Sequence, residues 1–190
     1  MPPSREPDVA DTIFCRDAAA FEHWLTDHVD HAPGVWLKIA KRASGIPSLT
    51  SDEAVDVGLC FGWISGQRRS LDEVYYLQKY VPRRPRSRWS QVNVRKVEEL
   101  TDAGRMRPSG IAEVDAAKAD GRWDAAYASQ RAATVPPDLA QALAARPQAS
   151  QAFDDLSRTE RYAVILEIVT ARTTTTRASR IGKTVAALEA

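Results

Sequence analysis

Residues 63–81 read WISGQRRSLDEVYYLQKYV, and the fold turns on how they are understood. WISGQRR and EVYYLQKYV are two short strand-like runs separated by SLD, the arrangement of a β-hairpin. Successive side chains of a strand alternate, so Tyr75, Leu77 and Lys79 share one face and Tyr76, Gln78 and Tyr80 the other. Upstream, Pro33-Gly34 turns the chain into VWLKIAK, where Val35, Leu37 and Ile39 alternate as a third strand. Asp17 is placed to cap a helix running to about Asp30, with Phe21, Trp24, Leu25 and Val29 on its inner face. Thr50 and Glu53 form a capping box for a helix from about Ser51 to Phe61, and Gly62 stops it. Strands and helices in this order specify an α+β fold: a small antiparallel sheet with helices in the N-terminal half.

Beyond the hairpin the chain becomes helical. Ser90 precedes QVNVRKVEELTDAG, with Val94, Val97 and Leu100 at helical spacing and Gly104 as the stop; Ser109 can cap GIAEVDAAKAD, which Gly121 ends. Pro136-Pro137 then opens an all-helical C-terminal part with pieces at about 137–145, 149–156, 158–171 and 174–189, the third behind a capping box of Ser157 and Glu160. In the last piece Ile181, Val185 and Leu188 form a seam, and Arg177, Arg180 and Lys183 point outward. The expected organisation is a flexible arm over 1–16, an α+β domain over 17–127, a linker over 128–135 and a helical region over 136–190.

Composition narrows the functional classes. The 190 residues are 44% hydrophobic and 27% charged, ordinary values for a globular protein. No apolar run approaches the roughly 20 residues of a spanning helix, and MPPSREPDVADTIF carries no apolar signal region, so membrane insertion is not expected and the expected location is cytoplasmic. Cys15 and Cys60 lack metal-binding spacing and read as reduced thiols. His23 and His28 lie roughly 140° apart on a helix and cannot jointly hold one ion, so no metal is expected; no cofactor is expected either. RIGKT (180–184) ends like a phosphate loop but lacks the first glycine and the preceding strand. No nucleophile elbow occurs, because Ser65 in WISGQ also lacks its first glycine, so no catalytic residue is assigned.

The strongest chemical signal is PRRPRSRWSQVN, residues 82–93. From Arg83 to Val97 there are five arginines and Lys96 without one acid, although the whole chain carries a net charge of only +1. Pro82 and Pro85 stiffen the backbone, arginine grips carboxylate or phosphate through paired hydrogen bonds and stacks on indole, and a helix amino end begins directly afterwards. Internal partners such as Asp72, Glu73 or Asp124 could satisfy these arginines equally well.

The ordered set EAVDVGLCFGWISG (53–66), PRRPRSRWSQVN (82–93), AKADGRWDAAY (117–127) and TTTTRASRIGKTV (173–185) resembles the YdeI/OmpD-associated family of bacterial proteins, described as bacteriocin-protection proteins. The likeness extends over about residues 20–188. It carries Trp63 with Gly66, the run Ser87, Arg88, Trp89 and Ser90, and Thr176, Arg177, Arg180 and Lys183, while Ala178 and Ser179 stand where the family is more basic. The resemblance implies a link to antimicrobial-peptide tolerance and brings no catalytic residues with it.

The resulting expectation is a non-enzymatic binding protein. Arg84, Arg86, Arg88, Trp89, Ser90, Asn93, Trp63, Arg177 and Arg180 would meet a small anionic ligand or an acidic protein surface. A near-neutral chain disfavours nucleic acid as the partner. The alternatives are an enzyme acting on a small anionic substrate in a cleft between the α+β part and the helical tail, and a tolerance factor that engages a protein partner through its C-terminal helices.

Overall fold

The computed structural model describes residues 12–31, 33–171 and 173–190. Among the described residues the strands and α-helices follow in the order β1 (Thr12–Phe14), α1 (Ala18–His28), β2 (Val35–Ala40), α2 (Ser51–Cys60), β3 (Trp63–Ser70), β4 (Tyr75–Pro82), α3 (Gln91–Asp102), α4 (Pro108–Ala119), α5 (Pro137–Ala144), α6 (Pro147–Asp155), α7 (Arg158–Val169) and α8 (Thr174–Leu188). The fold is α+β, a four-stranded sheet with helices in the N-terminal part and a helical C-terminal part.

The described residues group into two compact units. One holds the residues up to Ser87 together with Asn93–Trp123; the other holds Arg88–Val92 together with Asp124–Ala190. The sequence places 88–92 and 124–127 with the α+β domain. In the structure a parallel bridge between Ser90 and Tyr127 draws both segments into the helical unit.

In the first unit the strand order is β1-β2-β4-β3. The β3–β4 hairpin and the β2–β4 pair are antiparallel, with Val35 opposite Tyr80 and Ile39 opposite Tyr76. The sheet is mixed rather than purely antiparallel, because Thr12–Phe14 adds a short strand parallel to β2. Those three residues fall within the expected arm over 1–16, and of that arm the stretch 1–11 lies outside the described residues. Three residues give too short an alternation to be read as a strand without the partner they pair with.

The hairpin turn is fixed by Asp72, whose Oδ1 accepts from the backbone N–H groups of Val74 and Tyr75 at 2.7 and 2.6 Å. Those bonds hold its carboxyl below the usual carboxylate range. Between Ser65 and Arg68 the pairing slips, and buried Gln78 fills the irregularity: its Nε2 donates to Gly66 O and Gln67 O at 3.0 and 3.1 Å, and its Oε1 accepts from Arg68 Nε. A buried amide is tolerated here because its donors and its acceptor are all engaged.

Asp17 caps α1 by accepting from Ala20 N at 2.9 Å, and the box of Thr50 and Glu53 caps α2. Phe21 and Leu25 of α1, Val35, Leu37 and Ile39 of β2, Val57 of α2 and Tyr80 of β4 are buried, with the Phe21 and Tyr80 rings edge-on at 5.5 Å. Helix α4 starts one residue before the expected Ser109 cap: Arg107 is the cap residue and Pro108 the first helical residue, where a missing N–H costs nothing. A Cβ on Gly110 would lie 2.1 Å from Cys60 O, so only glycine permits this approach of α4 to α2.

In the helical unit Leu139, Leu143, Ala149, Phe153, Ile165, Ile168 and Val185 form one core, with Ile181 and Leu188 of the expected seam packed against it. Ser157 and Glu160 make the capping box of α7.

Candidate functional site

The basic stretch divides by environment. Arg83 is an interior residue, 5% exposed, and its backbone N–H donates to Gly62 O at 2.9 Å. The next four residues make a tight turn: Ser87 N donates to Arg84 O at 2.9 Å, and Arg84 N donates to Ser87 Oγ at 3.1 Å. Pro85 and Arg86 occupy its centre, and Arg86 has φ of 71°, in the left-handed region. A turn with proline first normally takes glycine or asparagine second. A β-carbon there costs about 1–2 kcal/mol. Both Arg84 and Arg86 are exposed, and neither guanidinium has a hydrogen bond or ion pair among the described residues.

The remaining nominated arginines lie in the helical unit and converge on one feature, the carboxyl end of α7. Arg88 Nη1 donates to Thr170 Oγ1 at 2.7 Å, Arg177 Nη1 to Ile168 O at 3.2 Å, and Arg180 Nη1 to Glu167 O. The last carbonyls of a helix carry partial negative charge and lack partners within it, which is what a guanidinium supplies. Arg177 and Arg180 therefore turn inward onto α7 instead of pointing outward. Arg177 also grips both oxygens of Asp138, which lowers the Asp138 carboxyl and raises the Arg177 guanidinium, each chiefly through that hydrogen bond.

The tryptophans are packing residues. Trp89 is 2% exposed, and its backbone carbonyl accepts from Tyr127 N at 3.1 Å. Trp63 is 1% exposed, donates its indole N–H to Val29 O at 3.0 Å and meets Trp24 edge-on. Both rings are enclosed by protein, so neither offers a free face for stacking. Ser90 is half-buried in the bridge to Tyr127, and Asn93 is half-buried on α3 in the first unit. The structure thus gathers Arg88, Arg177 and Arg180 at one helix end and sets Arg84 and Arg86 together on the turn.

One basic feature escapes the linear reading. The sheet face opposite Tyr80 carries Phe14, Trp36, Lys38, Tyr75, Leu77 and Lys79, with Arg69 across from Leu77. Lys38 Nζ stands 4.1 Å from the Tyr75 ring centre, and Arg69 and Lys79 stand 5.0 and 5.5 Å from that of Trp36. None of these positions is acidic. The signal was present in the alternation of Leu77 with Lys79, but only the pairing of β2 with β4 brings Lys38 and Trp36 beside them.

Cys15 and Cys60 are buried; burial pushes the Cys15 thiol up to about 11 and the Cys60 thiol upward as well, so both stay protonated. His28 stacks on Trp24 at 4.3 Å and bonds Trp24 O through Nδ1, and His31 meets the same indole edge-on. Among the described residues no three His, Cys, Asp or Glu side chains are grouped to hold a metal ion, and no helix is long and apolar enough to cross a membrane.

An α+β domain followed by a helical domain with an arginine-rimmed helix end defines the class of this protein, and the family comparison divides it in the same sense. Residues 132–190 match the family described as "Bacteriocin-protection, YdeI or OmpD-Associated", and residues 13–113 match a domain of unknown function, DUF8412. Residues 132–190 form a YdeI/OmpD-associated domain, and over 13–113 the chain belongs to the DUF8412 domain family. No curated protein and no solved structure matches it.

Proposed function

We propose that this protein is a non-enzymatic binding protein that meets an acidic protein surface or a small anion through Arg84 and Arg86. The observation that carries the reading is Arg86 itself. A bulky cation held at a left-handed position, with its guanidinium unengaged, is a local cost with no compensating contact among the described residues. Such strain concentrates where a side chain is presented to a partner. The acid-free sheet face with Lys38, Arg69 and Lys79 adds positive potential to the same unit. Arg88 and Arg180 at the end of α7 supply further cationic groups in the helical unit. Bacteriocin tolerance, from which the family takes its name, is the setting we assign to this binding.

The test is binding of a polyglutamate peptide, inorganic pyrophosphate and ATP to the intact protein and to an Arg84→Ala/Arg86→Ala variant, by calorimetry at low and physiological salt. At least one ligand should bind the wild type and bind the variant tenfold or more weakly, with a smaller salt dependence. Equal affinities for all three would overturn the reading.

A further inference from the structure

Within the helical unit a cleft of about 270 Å³ is walled by Ile165, Leu166 and Val169 of α7 and by Tyr127, Tyr162 and Asp124. That places it near the lower end of small-molecule cavities, which begin at about 300 Å³. Gln91 and Thr134, which can donate or accept, also line it, and its one formal charge is negative. The Tyr162 hydroxyl donates to Ala128 O at 2.9 Å, so towards a guest its oxygen keeps only lone pairs. The backbone of Tyr127 is used in both directions, its N–H by Trp89 O and its carbonyl by Gln91 N. Asp124 is exposed, and its carboxylate has no hydrogen bond or ion pair among the described residues. No lysine, arginine or histidine stands among the lining residues.

One unmatched negative charge, a lone-pair acceptor, two aromatic rings and an aliphatic wall, beside an amide and a hydroxyl that can turn either way, complement a guest that donates hydrogen bonds, carries positive charge and has an apolar body. An anion entering the same space would lose its hydration and meet a like charge. Burial first, and neighbouring Tyr127 second, raise the Tyr162 phenol, so the acceptor stays neutral at physiological pH and its donated proton stays in place.

We infer that this cleft is a binding site for a small organic ammonium, an alkyl- or arylalkylamine. The amine would lie against the Asp124 carboxylate and the Tyr162 oxygen, its hydrocarbon part against Ile165, Leu166 and Val169. The site is opposite in sign to the arginine turn and stands independently of it.

Phenethylammonium is the probe, titrated into the intact protein with amide chemical shifts and calorimetry as readouts. The neutral 2-phenylethanol and the anionic 3-phenylpropionate serve as shape-matched comparators. The expected result is saturable binding of the amine, shifts confined to residue 91 and residues 124–128, 133–134 and 162–169, and at least tenfold weaker binding of both comparators. Asp124→Asn, at an exposed position, should weaken the amine at least tenfold and leave 2-phenylethanol unchanged. Absence of amine binding at millimolar concentration, equal binding of amine and alcohol, or an unaltered affinity in Asp124→Asn would each overturn the assignment.

Discussion

Arg177 and Asp138 form a two-pronged pair, Nε on Oδ2 and Nη2 on Oδ1, while the third guanidinium nitrogen of Arg177 holds Ile168 O. One side chain on α8 thereby ties α5 and the end of α7 together. The Asp138 side chain remains 43% exposed, so solvent weakens the attraction and a contribution of about 1 kcal/mol is reasonable for a bidentate pair.

The pair has a defined pH dependence. Asp138 titrates below its unfolded value, so its stabilisation is complete above about pH 4 and is lost as pH falls through the lower folded-state value. Asp138→Asn should therefore cost about 1 kcal/mol in urea denaturation at pH 7. The gap to wild type should shrink as pH falls below about 4. A gap that is unchanged or wider in acid would contradict this origin.

Tyr80 should be more useful to the core as phenylalanine. It is 1% exposed, and its hydroxyl has no hydrogen-bond partner among the described residues; burial pushes the phenol strongly upward. Removing an unsatisfied buried hydroxyl relieves a desolvation penalty of about 1–3 kcal/mol, against a small cavity term. Tyr80→Phe should raise the denaturation midpoint by the equivalent of about 1 kcal/mol. A loss of stability would mean that the hydroxyl is engaged.

Gly110→Ala should be poorly tolerated. The added methyl would sit 2.1 Å from Cys60 O and 2.7 Å from its carbonyl carbon, both main-chain atoms that cannot rotate away. Separating α2 from α4 should cost about 1–3 kcal/mol, visible as a lower melting temperature with an unchanged far-ultraviolet circular dichroism spectrum. Gly182→Ala, where a Cβ meets nothing within 4 Å, is the control and should be neutral or slightly stabilising.

Arg86→Gly separates stability from binding. It relieves about 1–2 kcal/mol of left-handed strain and loosens the unfolded chain by about 0.4–1 kcal/mol, so the net gain should lie between zero and about 1.6 kcal/mol. The same change should weaken anion binding. Greater stability with undiminished binding would remove Arg86 from the proposed site.

Legibility from sequence followed the range of the interactions involved. The capping boxes at Thr50–Glu53 and Ser157–Glu160, the Asp17 cap and the hairpin faces of β4 were all readable, because each depends on neighbours within a few positions. Strand β1 was not, since three residues show no period until β2 lies beside them. The site was harder for the same reason. A run of arginines announces charge, but only the folded partners distinguish Arg83 in the interior, Arg88 and Arg177 on the end of α7, and Arg84 and Arg86 in water. Trp89 read as a stacking platform because an indole beside arginines fits that role; its 2% exposure assigns it to packing.

The bridge between Ser90 and Tyr127 has a practical consequence for anyone dissecting the molecule. Because Arg88–Val92 folds with residues that come more than thirty positions later, the polypeptide leaves the first unit, returns to it, and leaves again. No single scissile bond separates two intact halves. A fragment ending at Trp123 strands the Trp89 carbonyl without Tyr127, and one beginning at Asp124 deprives α7 of the guanidinium on Thr170. Limited proteolysis should accordingly yield nicked but associated material sooner than a freely diffusing C-terminal piece.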